Sequence, residues 1–219
     1  MPLSLSILVL IIPLFMFFFL GLVGVKMGKK LTGVIGTVVM GVTLAICYGV
    51  AITYFFGTPL VNDVRQVVIP FNWDWLSFTK DLVVRMGVII DPISAMMLIV
   101  VSTVSFLVHL FSLGYMSDEY GKPEKGFQRY YAFLQLFTFS MLGLVVSTNI
   151  FQMFIFFEMV GVSSYLLIGF YYTSPAAVHA SKKAFIVTRL ADMFFLLGIM
   201  VLSFFTGTFD FFTDSSHQV

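Results

Sequence analysis

Three ionisable side chains lie inside stretches that are otherwise continuously apolar: Glu158 within residues 150–172, and Arg189 and Asp192 within residues 184–205. On insertion scales each such charge costs roughly 2.5 to 3.5 kcal/mol at the centre of a membrane-spanning helix. A chain that carries three must pair them or use them. Burial disfavours an ionised carboxylate and a neighbouring cation favours it, so a carboxylate balanced between the two can take up and release a proton near neutral pH. The chemistry these residue types point to is a proton relay, with a moving lysine or arginine as its switch. Two structural alternatives stand beside it. Arg189 and Asp192, three residues apart on one helix face, can neutralise each other and fix helix packing. Glu158 can make a polar helix–helix contact to a hydroxyl such as Ser163 or Ser164.

Weaker candidates flank these three. His109 can pass a proton, or serve as a hydrogen-bonded histidine near the inner interface. Lys182 and Lys183 precede the Arg189 stretch; they read as snorkelling topology anchors, with a proton-path role as the alternative for Lys183. No Cys/His cluster has metal-ligand spacing, and the single cysteine, Cys47, has no partner for an internal disulfide. The sequence also shows no Gly-rich phosphate loop, no Ser-His-Asp arrangement and no flavin or haem motif. The expectation is a chain with no cofactor, no metal and no catalytic or redox centre of its own.

The elements that must hold these residues follow from composition. Of 219 residues 59% are hydrophobic and 11% charged, and mean hydropathy is +1.02. A soluble domain carries roughly 25% charged residues, so this chain cannot clothe a surface that faces water. The 27 phenylalanines suit lipid better than a small globular core. A net charge of +1 gives no reason to expect a nucleic-acid partner, and nothing suggests a soluble small-molecule substrate. A span needs about 20 apolar residues to cross a hydrocarbon core of about 30 Å. Six segments qualify: residues 3–25, 31–56, 92–113, 130–147, 150–172 and 184–205. Backbone polar groups inside lipid must be satisfied within the segment, and the runs lack the alternation of a β-barrel. The predicted fold class is an all-α, polytopic membrane protein with about six transmembrane helices. Lys26, Lys29 and Lys30 follow the first apolar run instead of preceding it, the reverse of a signal peptide.

The connections differ. Residues 57–91 form the one long loop, in which Val67, Ile69 and Phe71 alternate, so a short hairpin or amphipathic segment is predicted, with Trp73 and Trp75 at headgroup level. Residues 115–129 are polar and charged, with Asp118, Glu119, Lys122, Glu124 and Lys125. Thr148 and Asn149 leave room only for a tight antiparallel turn. Small-residue spacing at Gly24 and Gly28, and at Ala45 and Gly49, suggests close helix approach. With the amino terminus outside, the inner loops hold Lys26, Lys29, Lys30, Lys122, Lys125, Arg129, Lys182 and Lys183, and the outer ones Arg65, Lys80 and Arg85. That excess places both termini outside, the periplasmic side of a bacterial inner membrane. Glu158 and Asp192 then each lie about 12 Å from a membrane edge, at about 1.5 Å per residue, and differ in depth by only about 6 Å.

Three stretches carry a family resemblance. "IDPISAMMLIVVSTVSFLVHLFSLGYM" (residues 90–116), "RYYAFLQLFTFSMLGLVVSTNIFQMFIFFEMVGVSSYLLIGFYY" (129–172) and "ASKKAFIVTRLADMFFLLGI" (180–199) resemble the third to sixth helices of an antiporter-like large subunit. That subunit, called L in bacteria and 5 in mitochondria, belongs to proton-pumping NADH:quinone oxidoreductase (complex I). The resemblance implies that Glu158 is a central proton-path residue and that Arg189, Asp192 and Lys183 are polar positions beside it. It implies proton translocation coupled to quinone reduction in other subunits, with membrane subunits of complex I and the lipid bilayer as partners. Phe157 stands where the family has Trp. Family members have more than twice as many helices, so the resemblance covers an amino-terminal portion. It divides the chain into residues 1–89 (two helices and a long outer loop), 90–206 (helices three to six) and 207–219 (an outer tail). Subunits of multi-subunit cation/proton antiporters and membrane-bound hydrogenases share the pattern. A rival from another class is a non-transporting assembly or anchoring subunit.

Overall fold

The computed structural model describes residues 3–61, 64–77, 83–117 and 126–211. A short 3-10 turn, Leu3–Ile7, leads into α1 (Leu8–Leu22). Then come α2 (Lys29–Gly57), α3 (Pro92–Tyr115), α4 (Phe127–Val145), α5 (Ile150–Ile168) and α6 (Pro175–Thr206). Five of the six are long and apolar enough to cross a membrane. The exception is α4, at 19 residues, and its burial explains why. Tyr131, Gln135, Thr138 and Ser140 on this helix are all buried, because α4 packs against α1, α2, α3 and α5. Its polar residues face protein and not lipid.

Lipid tails are as apolar as leucine, so helices in a bilayer associate through close packing and polar contacts and not through water exclusion. Both devices are present. Ser102, Thr138, Ser140 and Ser147 each donate a hydrogen bond to the carbonyl four residues earlier, which satisfies a hydroxyl without leaving the helix. Gly143 lets α4 and α5 approach closely, since a Cβ there would lie 2.2 Å from the ring of Phe156. Of the glycines singled out by spacing, Gly24 lies against Leu20 and Gln128, whereas Gly28 faces open space. Replacing Gly143 with Ala should cost about 1 to 3 kcal/mol through overpacking. A lowered thermal midpoint in detergent, partly restored by Phe156→Leu, checks this.

The predicted hairpin between α2 and α3 forms. β3 (Val68–Ser77) pairs antiparallel with β4 (Val83–Ile90), Trp73 opposite Met86 and Asp74 opposite Arg85. A smaller pair, β1 (Leu60–Val61) with β2 (Val64–Arg65), precedes it. Val84, Val88, Ile89 and Ile90 are buried, whereas Trp73 and Trp75 are exposed. The tight turn is also real: α4 ends at Val145 and α5 begins at Ile150, and beside the turn the amide of Ile89 in β4 donates to the carbonyl of Val146 at 2.9 Å. At α3 a reciprocal cap fixes the start: Asp91 accepts from the Ser94 amide at 2.6 Å, and Ser94 Oγ accepts from the Asp91 amide at 2.7 Å. Pro92 at the first helical position needs no amide partner. The charged residues 118–125 and Lys80 lie outside the described residues.

Candidate functional site

Asn149 starts α5 by accepting a hydrogen bond from the Gln152 amide at 2.7 Å. Gln152 then reaches sideways to the hairpin. Its Oε1 accepts from the Gly87 amide at 3.1 Å and its Nε2 donates to the Gly87 carbonyl at 2.8 Å. The far end of α6 meets the same place: the amide of Ile150 donates to the carbonyl of Phe209, and Arg85 pairs with Asp210 at 2.8 Å. The sequence motif N-x-x-Q ahead of an apolar run would have revealed this cap. The clamp to Gly87 is tertiary and carries no local mark.

From this anchored end α5 carries Glu158 eight residues past Ile150, toward the middle of the helix. There the Glu158 carboxylate forms an ion pair with the Arg189 guanidinium of α6. The Glu158 side chain is 18% exposed and that of Arg189 37%. Arg189 also lies over the Phe185 ring, 4.8 Å from its centre, and Phe185 in turn packs on Tyr165 of α5. Phe157 and Phe154 of α5 meet Phe195 edge-on beside the pair. The cation is held between a carboxylate and an aromatic face, two contacts that reduce its cost in lipid.

The Arg189–Asp192 bridge does not form. Helix side chains lean toward their own amino terminus, so Arg189 extends back over Phe185, away from Asp192. Asp192 itself is 5% exposed and faces α5 together with Ser181 and Ile199. Among the described residues no hydrogen bond or ion pair reaches it. Ser163 and Ser164 donate to the carbonyls of Val160 and Gly161, so neither hydroxyl supplies the contact considered for Glu158.

Lys183 is exposed and stands nine positions before Asp192. At 3.6 residues per turn that puts it on the opposite side of α6. His109 belongs to another layer, where α3 packs on α2 and α4. It is fully buried; its Nδ1 lies 2.7 Å from the Ser105 carbonyl, and Tyr131 donates to the His109 carbonyl at 2.9 Å. Of the five candidates, then, Glu158, Arg189 and Asp192 lie at the α5–α6 contact, while Lys183 and His109 lie apart from it.

The geometry is that of a carboxylate and its counter-charge on two adjacent spans. A family model described as "NADH-Ubiquinone oxidoreductase (complex I), chain 5 N-terminus" matches residues 75–131, and one described as "NADH:quinone oxidoreductase/Mrp antiporter, TM" matches residues 147–217. The chain is 41% identical over 172 residues to the chloroplastic NAD(P)H-quinone oxidoreductase subunit 5 of Anthoceros angustus, covering 78% of itself and 22% of the relative. With the corresponding protein of Chara vulgaris it shares 47% over 143 residues, covering 65% and 21%. It thus spans about a fifth of the length of these relatives. Two solved structures share its fold. One is the archaeal membrane-bound sulfane sulfur reductase (TM-score 0.70, 21% identity, 94% of this chain and 38% of that one). The other is the Mrp complex of Dietzia sp. (TM-score 0.68, 20% identity, 94% and 20%). The chain is homologous to the amino-terminal portion of the antiporter-like large-subunit family, subunit L or 5, of complex I and Mrp-type antiporters.

Proposed function

We propose that this chain is part of an ion-translocating, antiporter-like subunit of a multi-subunit membrane complex, and that Glu158 carries the proton. The observation that carries the reading is the Glu158–Arg189 pair between α5 and α6. A carboxylate paired across two helices has two states available, ionised and bound to arginine, or protonated and released from it. Asp192, buried at the same contact, is a second acceptor one turn away. Lys183 and His109 would act, in this reading, as the ends of a longer path and not as partners of Glu158. The proposed working unit is residues 90–206, with residues 1–89 and 207–219 as its outer support; residues 212–219 lie outside the described residues.

The test uses the complete subunit in its complex. The double variant Glu158→Gln/Arg189→Gln removes both charges and leaves none unpaired. We expect it to assemble near the wild-type level and to fail in proton transport, read as dye-reported acidification in sealed vesicles. Transport at the wild-type rate would assign the pair to helix packing and favour an anchoring subunit.

Two hosts have specific support. The named relatives are NAD(P)H-quinone oxidoreductase subunits, which favours proton pumping coupled to quinone reduction elsewhere in a complex. The family model over residues 147–217 describes Mrp antiporters as well as quinone oxidoreductases, which favours an antiporter-type assembly. Co-purification decides: flavin and iron–sulfur subunits for the first, membrane chains alone for a cation/proton antiporter.

In a bacterium we place the chain in the inner membrane with its amino terminus outside. Cys47, the single cysteine, is fully buried, so background thiol labelling is low. A membrane-impermeant maleimide should label Ser77→Cys from the outside and Thr173→Cys only after the inner face is exposed. The reverse pattern would invert the topology.

A further inference from the structure

At the end of the molecule away from the hairpin lies an arrangement that the Glu158–Arg189 pair does not use. A cavity of about 360 Å³ sits between α4, the end of α5 and the first turns of α6, its wall including Arg129, Phe133, Tyr165, Leu166, Ser181 and Lys182. Arg129 lies against two rings: its guanidinium carbon is 5.4 Å from the ring centre of Phe170 and 5.0 Å from that of Tyr172. A ring attracts the cation by its charge and takes none of its conventional hydrogen bonds, so the N–H fork stays available to an acceptor and matches two oxygens of one phosphate. Among the described residues no carboxylate pairs with Arg129 or Lys182. The described wall of the cavity therefore carries two positive charges and no negative one.

The rest of the wall narrows the choice of anion. Phe133 and Leu166 are apolar, and Ser181 spends its proton on the Val178 carbonyl at 3.0 Å, leaving an oxygen that only accepts. A bare inorganic anion would leave the apolar wall unfilled. A phospholipid fills both parts, its phosphate against the cations and its glycerol and first methylenes against the rings. The position agrees, because this is the basic end of the helices, where the α1–α2 connection, at Gly24, meets Gln128 of α4. Basic pockets between spans on that side of a membrane suit anionic headgroups.

We propose that this cavity binds the phosphate of an anionic phospholipid, with Arg129 gripping two phosphate oxygens and Lys182 supplying the second charge. The proposal rests on the membrane-spanning fold and is independent of any proton role for Glu158.

The experiment titrates the detergent-purified complex containing the full subunit with phosphatidylglycerol, phosphatidylcholine or inorganic phosphate, and counts bound lipid by native mass spectrometry. The wild type should hold one more tightly bound phosphatidylglycerol per copy than Arg129→Gln/Lys182→Gln, with phosphatidylcholine about tenfold weaker at that site, because its quaternary ammonium adds a positive charge beside the two cations. Should the double variant misfold, Lys182→Gln alone serves, since Lys182 is exposed; its occupancy should fall at equal lipid concentration. Identical lipid counts in wild type and variant would overturn the proposal. So would displacement of the lipid by inorganic phosphate alone, which would mark a soluble-anion site.

Discussion

Glu158→Gln should lower proton transport, counted per assembled complex, by about 100-fold, the scale on which a positioned proton-transfer group acts. Glutamine keeps the shape and still accepts a hydrogen bond from Arg189, so the α5–α6 contact survives. What it loses is the ability to bind and release a proton. Glu158→Asp keeps the acid but shortens it by one methylene, and should retain a measurable fraction of transport because arginine can follow it. The measurement is the initial rate of acidification in vesicles, set against the amount of complex on a native gel. A Glu158→Gln variant that transports at the wild-type rate removes the proton role from this residue altogether.

The second large effect is on stability. Arg189→Leu strands a carboxylate in a span with no cation beside it, and breaking one partner of such a pair typically costs about 3 to 5 kcal/mol. Helix α6 is sensitive to that loss because few of its side chains are enclosed by the described residues: of its 32 residues only Ser181, Asp192 and Ile199 are buried. We expect Arg189→Leu to reduce the amount of assembled complex and its thermal midpoint, and Glu158→Gln added to it to restore most of both. Recovery by a second substitution distinguishes an uncompensated charge from a lost packing contact. If the single variant assembles normally, the pair is not what holds α6 in place.

Most of this architecture is legible in the residue order. Apolar length gives the spans, and the alternation at Val67, Ile69 and Phe71 gives the hairpin. Depth along a helix is legible too: it set Glu158 beside Asp192, and the cation that pairs with Glu158 is Arg189, three residues from Asp192. Direction around the helix is not, because it depends on which helices lie beside it. Arg189 and Asp192 share a face by spacing, yet the lean of the side chain sends Arg189 to α5. Lys183 is near Asp192 in the chain and on the far side of the helix in space. The same limit hid Arg129, whose aromatic clasp comes from residues 41 and 43 positions away, Phe170 and Tyr172. Gly143 looked unremarkable beside Gly24 and Gly28, since only its neighbour Phe156 makes it tight.

The ties at Asn149, Ile150, Phe209 and Asp210 have a mechanical result. They fasten α5 and α6 to each other and to the hairpin at one end, and a short link, residues 169–174, joins them at the other. Two rods held at both ends part least at their tips, so any widening of the gap between them is greatest near the middle, where Glu158 and Arg189 sit.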